Sequence, residues 1–156
     1  MFKVVLGSPC GPSVVSNPAT LTIVPPAISV VAPDITSCAS QIVFPIVLVK
    51  SIGVGAISLT LNFDASVMTF DGFQNLHPGL LNGFYTIVNP NANQVYISWY
   101  SVTPLNIVYD TLVELLFHSN NGGYSTITFD QVTPGACEFS DVAANVLPVT
   151  YYAGSV

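Results

Sequence analysis

The sequence predicts an all-β fold, either a sandwich or a barrel, and two patterns support this prediction. Apolar and polar residues alternate with a period of two in the segments Ile57–Phe63, Val95–Tyr100 and Ser125–Val132. Such alternation is expected of strands with one face in a core and the other in solvent. Turn-forming residues, such as Pro78-Gly79 and Pro134-Gly135, separate the segments, and short strands at this spacing are typical of sandwiches and barrels.

The segment Asp110–Ser119 is the place where a helix competes with a strand. Leu112, Leu115 and Leu116 have the i, i+3, i+4 spacing of a helix face, whereas Leu115 and Phe117 alternate as in a strand. Because its neighbours are strand-like, we predict a bulged strand here.

The composition limits the classes of function. Of the 156 residues 51% are hydrophobic and 6% charged, the net charge is −6, there is no arginine, and the only lysines are Lys3 and Lys50. Recognition of a phosphate backbone needs clustered Lys and Arg, so nucleic acid is excluded as a partner. The most apolar stretch, Ile42–Ile57, contains Pro45, Lys50 and two glycines, so it cannot insert in a membrane as a helix. An uncharged polar surface of this kind is typical of secreted modules and predicts an extracellular or cell-surface location.

No residues have the spacing of a catalytic site. His77 and His118 lie far apart, with no cysteine or carboxylate at ligand spacing. Asp64 and Asp71 are candidates for a carboxylate pair, but the position of Asp64 at the end of a strand favours a turn-capping role. We therefore predict a protein that is not an enzyme and has no cofactor.

Three acidic residues cluster towards the C-terminus, namely Asp130, Glu138 and Asp141. Calcium prefers carboxylate and carbonyl oxygens, but this spacing matches no defined calcium loop. The alternative is that they cap turns, and we predict no metal site.

A change of pattern near Pro25-Pro26 divides the chain. Residues 1–25 contain two strand-like segments and a Gly/Pro loop with Cys10, and two strands alone are marginally stable. The segment resembles the final hairpin of a bacterial immunoglobulin-like domain, in which such a loop leads to a closing strand of the type S-N-x-A-T-L-T. Since Met1 runs directly into FKVVLG without a signal sequence, we expect a piece of a longer protein, with one sandwich domain over residues 26–156.

Four phrases follow in order after Ile28. They are FPIVLV with GAISLTLNFD, VYISWY, LVELLF, and ITF followed by CEFSD. Their order resembles a cohesin-type module, a jelly-roll β-sandwich related to certain carbohydrate-binding modules. The resemblance implies a non-catalytic binding, scaffolding or adhesion module of a large secreted or cell-surface protein. A carbohydrate-binding module attached to a polysaccharide-degrading protein is the alternative.

The resemblance also implies a face for the partner. In dockerin-binding cohesins, the strand that corresponds to Ile57–Phe63 carries outward polar groups, including an aspartate. Alternation on this strand and on Val95–Tyr100 predicts six members of the face: Ser58, Thr60, Asn62, Tyr96, Ser98 and Tyr100. Ser58 stands in place of the aspartate, which favours a protein partner other than a standard dockerin.

The arrangement of the aromatic residues distinguishes a protein-binding module from a carbohydrate-binding module. Trp99 alternates inward with Ile97 and is predicted to lie in the core. A polysaccharide partner would need a coplanar row of exposed aromatic rings. The candidates for such a row are Phe84, Tyr85, Tyr96 and Tyr100.

The three cysteines, Cys10, Cys38 and Cys137, predict one disulfide and one unpaired thiol in an oxidising compartment. In a cohesin-type topology the first and last strands lie side by side, which implies a Cys38–Cys137 disulfide. Residues 1–24 would keep apolar strand faces without the rest of their domain. We therefore predict that this segment packs against a second copy of the chain as a homo-oligomer, with Cys10 available for an intermolecular disulfide. The alternative is that the segment folds back on its own sandwich.

Overall fold

The fold is described by a computed structural model for residues 5–8, 11–15, 27–120 and 122–156. The strands are β1 Val5–Ser8, β2 Gly11–Val15, β3 Ile28–Val31, β4 Gln41–Asn62, β5 Met68–Gln74, β6 Phe84–Asn91, β7 Gln94–Ser119, β8 Thr126–Phe129, β9 Glu138–Asp141, β10 Val149–Tyr152 and β11 Gly154–Ser155. A short 3-10 helix, Pro78–Asn82, precedes β6. The all-β prediction is confirmed, and within the described ranges no helix is long and apolar enough to cross a membrane.

Two long strands, β4 and β7, contribute to both layers of the domain. Residues 41–49 of β4 pair antiparallel with residues 109–118 of β7, and residues 56–62 pair with 94–100. The register shifts between these halves, where Gly53 has a φ of 76° that favours glycine. Since both halves bury alternate side chains in one core, they face each other as the two sheets of a sandwich.

The first sheet has the strand order β10, β3, first half of β4, second half of β7, β5. In the second sheet, β6 pairs with the first half of β7, and this half of β7 pairs with the second half of β4. On its other edge the second half of β4 pairs with β8 and β9, and β8 also pairs with β11. Strands β3 and β10 are parallel neighbours, with Val30 opposite Tyr151. The prediction of a jelly-roll-like β-sandwich is confirmed.

The core is built by alternate residues of the facing sheets. Trp99 is 1% exposed, and its indole Nε1 donates a hydrogen bond to the carbonyl oxygen of Leu80 at 2.9 Å. This bond satisfies a polar group that would otherwise be costly to bury. Phe63 and Phe117 pack edge to face, with ring centroids 5.1 Å apart. Trp99 therefore lies in the core, as the alternation predicts.

The segment Asp110–Ser119 is part of β7. Ile46 lies opposite Val113 and Val47 lies opposite Thr111, so Leu112 is an extra residue in the ladder. Both Leu112 and Val113 are fully buried, which breaks the alternation locally. The predicted bulged strand is confirmed, and the helix-like spacing of the leucines comes from this bulge.

The predicted Cys38–Cys137 disulfide is not formed, since both residues are free thiols. Strands β3 and β10 do lie side by side, but neither cysteine is in them. Cys38 is exposed in the loop before β4, whereas Cys137 precedes β9 and its Sγ lies 3.5 Å from the carbonyl oxygen of Thr60. Partial burial raises the pKa of the Cys137 thiol.

Strands β1 and β2 form an antiparallel pair with Val5 opposite Val15. The predicted closing strand of the immunoglobulin-like hairpin, and Cys10, fall outside the described residues. The immunoglobulin-like assignment, the boundary near residue 26 and the oligomer through residues 1–24 therefore stay predictions.

Candidate partner-binding face

The six residues of the predicted face lie on adjacent strands of the second sheet. Ser58 is opposite Ser98 and Thr60 is opposite Tyr96. In the same ladder, Asn62 is opposite Gln94 and Tyr100 is opposite Ala56. Because side chains alternate along a strand, residues with this parity point away from the core. The register therefore brings all six positions together on the outer surface.

Strand β6 extends this surface by a third column. Phe84 lies opposite Tyr100, Thr86 opposite Ser98, and Val88 opposite Tyr96. The outer face of the second sheet thus carries aromatic, aliphatic and hydroxyl side chains in the columns from β4, β7 and β6. We call this surface the outer face below.

An aromatic pair stands at the edge of the outer face. The rings of Phe84 and Tyr100 are stacked, with centroids 5.2 Å apart and an interplanar angle of 23°. Phe84 is 71% exposed and Tyr100 57% exposed. Large exposed aromatic side chains are frequent anchors of protein interfaces. The position of Phe84 was missed among the predicted face residues, because the residues of β6 show no clear alternation of apolar and polar side chains.

A turn between β8 and β9 covers two of the predicted positions. The Ser58 hydroxyl donates to the carbonyl oxygen of Gly135 at 2.8 Å. Thr60 is only 8% exposed, and its carbonyl oxygen accepts from the Asp130 amide at 2.9 Å. The Ser58 hydroxyl is therefore bonded within the protein and Thr60 is buried, so these two predicted positions are less accessible than Tyr100. The open part of the outer face lies towards β7 and β6.

The acidic residues near the C-terminus hold turns. The Asp130 carboxylate accepts from the amides of Val132 and Thr133 at 3.1 and 3.0 Å. Asp141 accepts from the amide of Asn145 at 2.9 Å. Among the residues that the structure describes, no three His, Cys, Asp or Glu side chains are grouped to hold a metal. The carboxylates of Asp130 and Asp141 thus act as turn caps.

The other residues considered for a catalytic or metal site, His77, His118, Asp64 and Asp71, also make contacts within the protein. Asp64 accepts from the amide and hydroxyl of Ser66 at 2.8 and 2.6 Å, so its predicted turn-capping role is confirmed. Asp71 instead contacts His118, with Oδ1 and Nδ1 2.7 Å apart. His77 Nδ1 accepts from the Gly79 amide at the start of the 3-10 helix. Asp64 and Asp71 therefore do not form a carboxylate pair.

These turn contacts predict a dependence of stability on pH. Hydrogen bonds from Thr133, Asn145 and Ser66 hold the pKa values of Asp130, Asp141 and Asp64 below the ordinary range of aspartate. A lowered pKa in the folded state stabilises the fold above the ordinary aspartate pKa, about 3.9. That stability is lost as the pH falls through the lowered folded values.

We expect the melting temperature to fall between about pH 5 and pH 2, and to fall less steeply in Asp130→Asn. The asparagine retains one acceptor oxygen but does not titrate. Thermal melts at a series of pH values measure this. Identical pH profiles for the variant and the wild type would contradict the role given to Asp130.

The candidate aromatic residues for a polysaccharide do not all lie on one side of the sheet. Tyr85 lies opposite Trp99, on the core side of β6, and its ring is perpendicular to that of Phe73 at 6.2 Å. Phe84 and Tyr100 turn their faces towards each other. Phe84, Tyr85 and Tyr100 therefore do not form a single row of exposed flat rings.

Comparison with known proteins identifies the fold. No protein-family model matches the chain, and no curated protein matches it. Its structure is similar to a non-cellulosomal cohesin from the archaeon Archaeoglobus fulgidus, with 16% identity, a TM-score of 0.67, and coverage of 83% of this chain and 89% of that one. It is also similar to the sixth cohesin of scaffoldin B from Acetivibrio cellulolyticus, which was solved with a mutant dockerin. This structure has 13% identity and a TM-score of 0.67, with coverage of 84% of this chain and 98% of that one.

A third similar structure is a type I cohesin–dockerin complex from Clostridium thermocellum (16% identity, TM-score 0.65, 88% of this chain and 97% of that one). The domain therefore has the cohesin-type fold, which confirms the resemblance found in the sequence. At these identities the likeness establishes the fold alone.

Proposed function

We propose that this chain is a non-catalytic binding module of an extracellular or cell-surface protein, and that a protein partner binds its outer face. The observation that carries the proposal is the exposed Phe84–Tyr100 stack on the outer face. Cohesins with the same fold have been solved in complexes with dockerins, which supports a scaffolding role. The local engagement of the histidines and of Asp64 and Asp71 supports a non-enzymatic role.

The chemistry of the outer face favours a partner with an apolar and hydroxyl-bearing surface. Its β7 and β6 columns carry Tyr96, Ser98, Tyr100 and the β6 residues Thr86 and Val88, none of which is charged. Burial of apolar area would supply most of the affinity. Ser58 donates its hydroxyl to the Gly135 carbonyl and so does not replace a recognition carboxylate. We expect a protein other than a standard dockerin, with polysaccharide as the second candidate.

Quantitative capture from the secreted proteins of the source organism tests this proposal. The wild-type chain is expected to enrich a protein that Tyr100→Ser fails to enrich. Tyr109→Ser is the matched control, because Tyr109 is 72% exposed on β7 opposite Val49, on the outside of the first sheet. A partner that Tyr100→Ser and Tyr109→Ser capture equally well would show that the partner does not bind at Tyr100 on the outer face. Binding to a glycan array that depends on Tyr100, with no protein captured, would favour the polysaccharide candidate instead.

A further inference from the structure

The free edges of the sheets differ in how well they are protected against pairing with another strand. Edge strand β5 carries Asp71 and a register shift between Phe70 and Gly72. Strand β9 has four residues, two of them Glu138 and Asp141, and β10 also has four residues. Charge, bulges and short length are the features that keep edge strands from pairing.

Residues 84–88 of strand β6 lack this protection. They carry no charged side chain, and their register with β7 is unbroken, whereas Pro90 and a register shift after Val88 interrupt the rest of the strand. In the described part of the chain it pairs only with β7. Phe84, Tyr85 and Val88 are 71%, 43% and 43% exposed. A regular, uncharged edge rich in aromatic and β-branched residues is the kind that recruits another strand.

We infer that β6 pairs antiparallel with β6 of a second copy of the chain, with the two Thr86 residues opposite each other. This register is self-complementary. It places Phe84 opposite Val88 and Tyr85 opposite Ile87 of the other copy, and it uses all five residues of the unbroken segment. Aromatic residues opposite β-branched residues, and threonine opposite threonine, are favourable cross-strand pairs.

The charge distribution is compatible with the same occupant. Two copies of a chain with a net charge of −6 repel each other, and a contact between copies is least opposed where no acidic side chains meet. None of the residues 84–88 is charged. Pairing there joins the second sheets of both copies, with both Phe84–Tyr100 stacks on one side of the joined sheet. This inference does not depend on the proposed partner.

Sedimentation velocity of the full chain over a series of concentrations tests the inference. We expect a reversible dimer. Thr86→Lys places two like charges directly opposite each other, as does Thr86→Glu, and either variant is expected to raise the dimer dissociation constant about fivefold or more. An equimolar mixture of the Lys and Glu variants is expected to form dimers again, because opposite charges then meet at the centre of the pair.

The matched control is Thr128→Lys, since Thr128 is exposed on β8 of the same sheet opposite Asn62. It is expected to dimerise like the wild type. The inference is overturned if the wild type sediments as a monomer at every concentration. A dimer that Thr86→Lys leaves unchanged also overturns it, and is the result expected if residues 1–24 form the interface. Failure of the Lys/Glu mixture to dimerise overturns the proposed register.

Discussion

Replacing Trp99 with alanine is expected to lower the free energy of unfolding by about 3–5 kcal/mol. The side chain is 1% exposed, and its indole contacts Leu80 of the 3-10 helix. Its removal leaves a cavity and also leaves the Leu80 carbonyl oxygen without the indole donor at 2.9 Å. Equilibrium unfolding in urea, followed by circular dichroism, measures the change.

Two further variants make this measurement decisive. Trp99→Phe keeps an aromatic ring in the core but lacks the indole donor, so it should cost clearly less than the alanine variant. Tyr109→Ala removes an exposed ring on the first sheet and is expected to change stability by no more than about 0.5 kcal/mol. If Trp99→Ala is as mild as Tyr109→Ala, the strand register assigned to β7 is wrong.

Truncation of the aromatic stack is expected to weaken partner binding strongly. Phe84→Ala and Tyr100→Ala should each lower the affinity for the captured partner by more than about 1 kcal/mol, which is roughly fivefold. Because the rings are 5.2 Å apart and stacked, removal of one disturbs the other. The double variant should therefore lose less than the sum of the two single losses. Isothermal titration calorimetry gives all three values.

Stability measurements separate a loss of binding from a loss of fold. Phe84 and Tyr100 are largely exposed, so their alanine variants should melt close to the wild-type temperature. Tyr109→Ala should bind with wild-type affinity. A partner that binds both stack variants with unchanged affinity would show that the stack is not the anchor of the interface.

Alternation predicts which side chains share one side of a strand, but it does not predict which of them are exposed. Along β4 and β7 a period of two fixes which side chains share a side, whereas the pairing of Ser58 with Ser98 is seen only in the structure. The turn that covers Ser58 and Thr60 comes from residues that are distant in sequence. No periodic pattern predicts where such a turn lies, so the reduced exposure of Ser58 and Thr60 is seen only in the structure.

The positions of the cysteines could not be predicted for a similar reason. The resemblance to cohesins implied that the first and last strands of the sandwich lie side by side, and β3 and β10 do pair. Both cysteines, however, lie in connecting segments outside these strands, and the path of a loop is set by its own turns and contacts. A pairing of strands therefore does not fix the distance between thiols that precede or follow other strands.

The continuity of β4 and β7 has a consequence for folding. One antiparallel ribbon supplies central strands to both sheets, and its pairing joins residues 41–62 with residues 94–119. Contacts that are so far apart in sequence require closure of a long loop before they form, and they are associated with folding in milliseconds to seconds. Neither sheet can separate from the other without breaking this ribbon. The amide protons of both halves of β4 should therefore exchange through a single global opening, so that the two sheets behave as one cooperative unit.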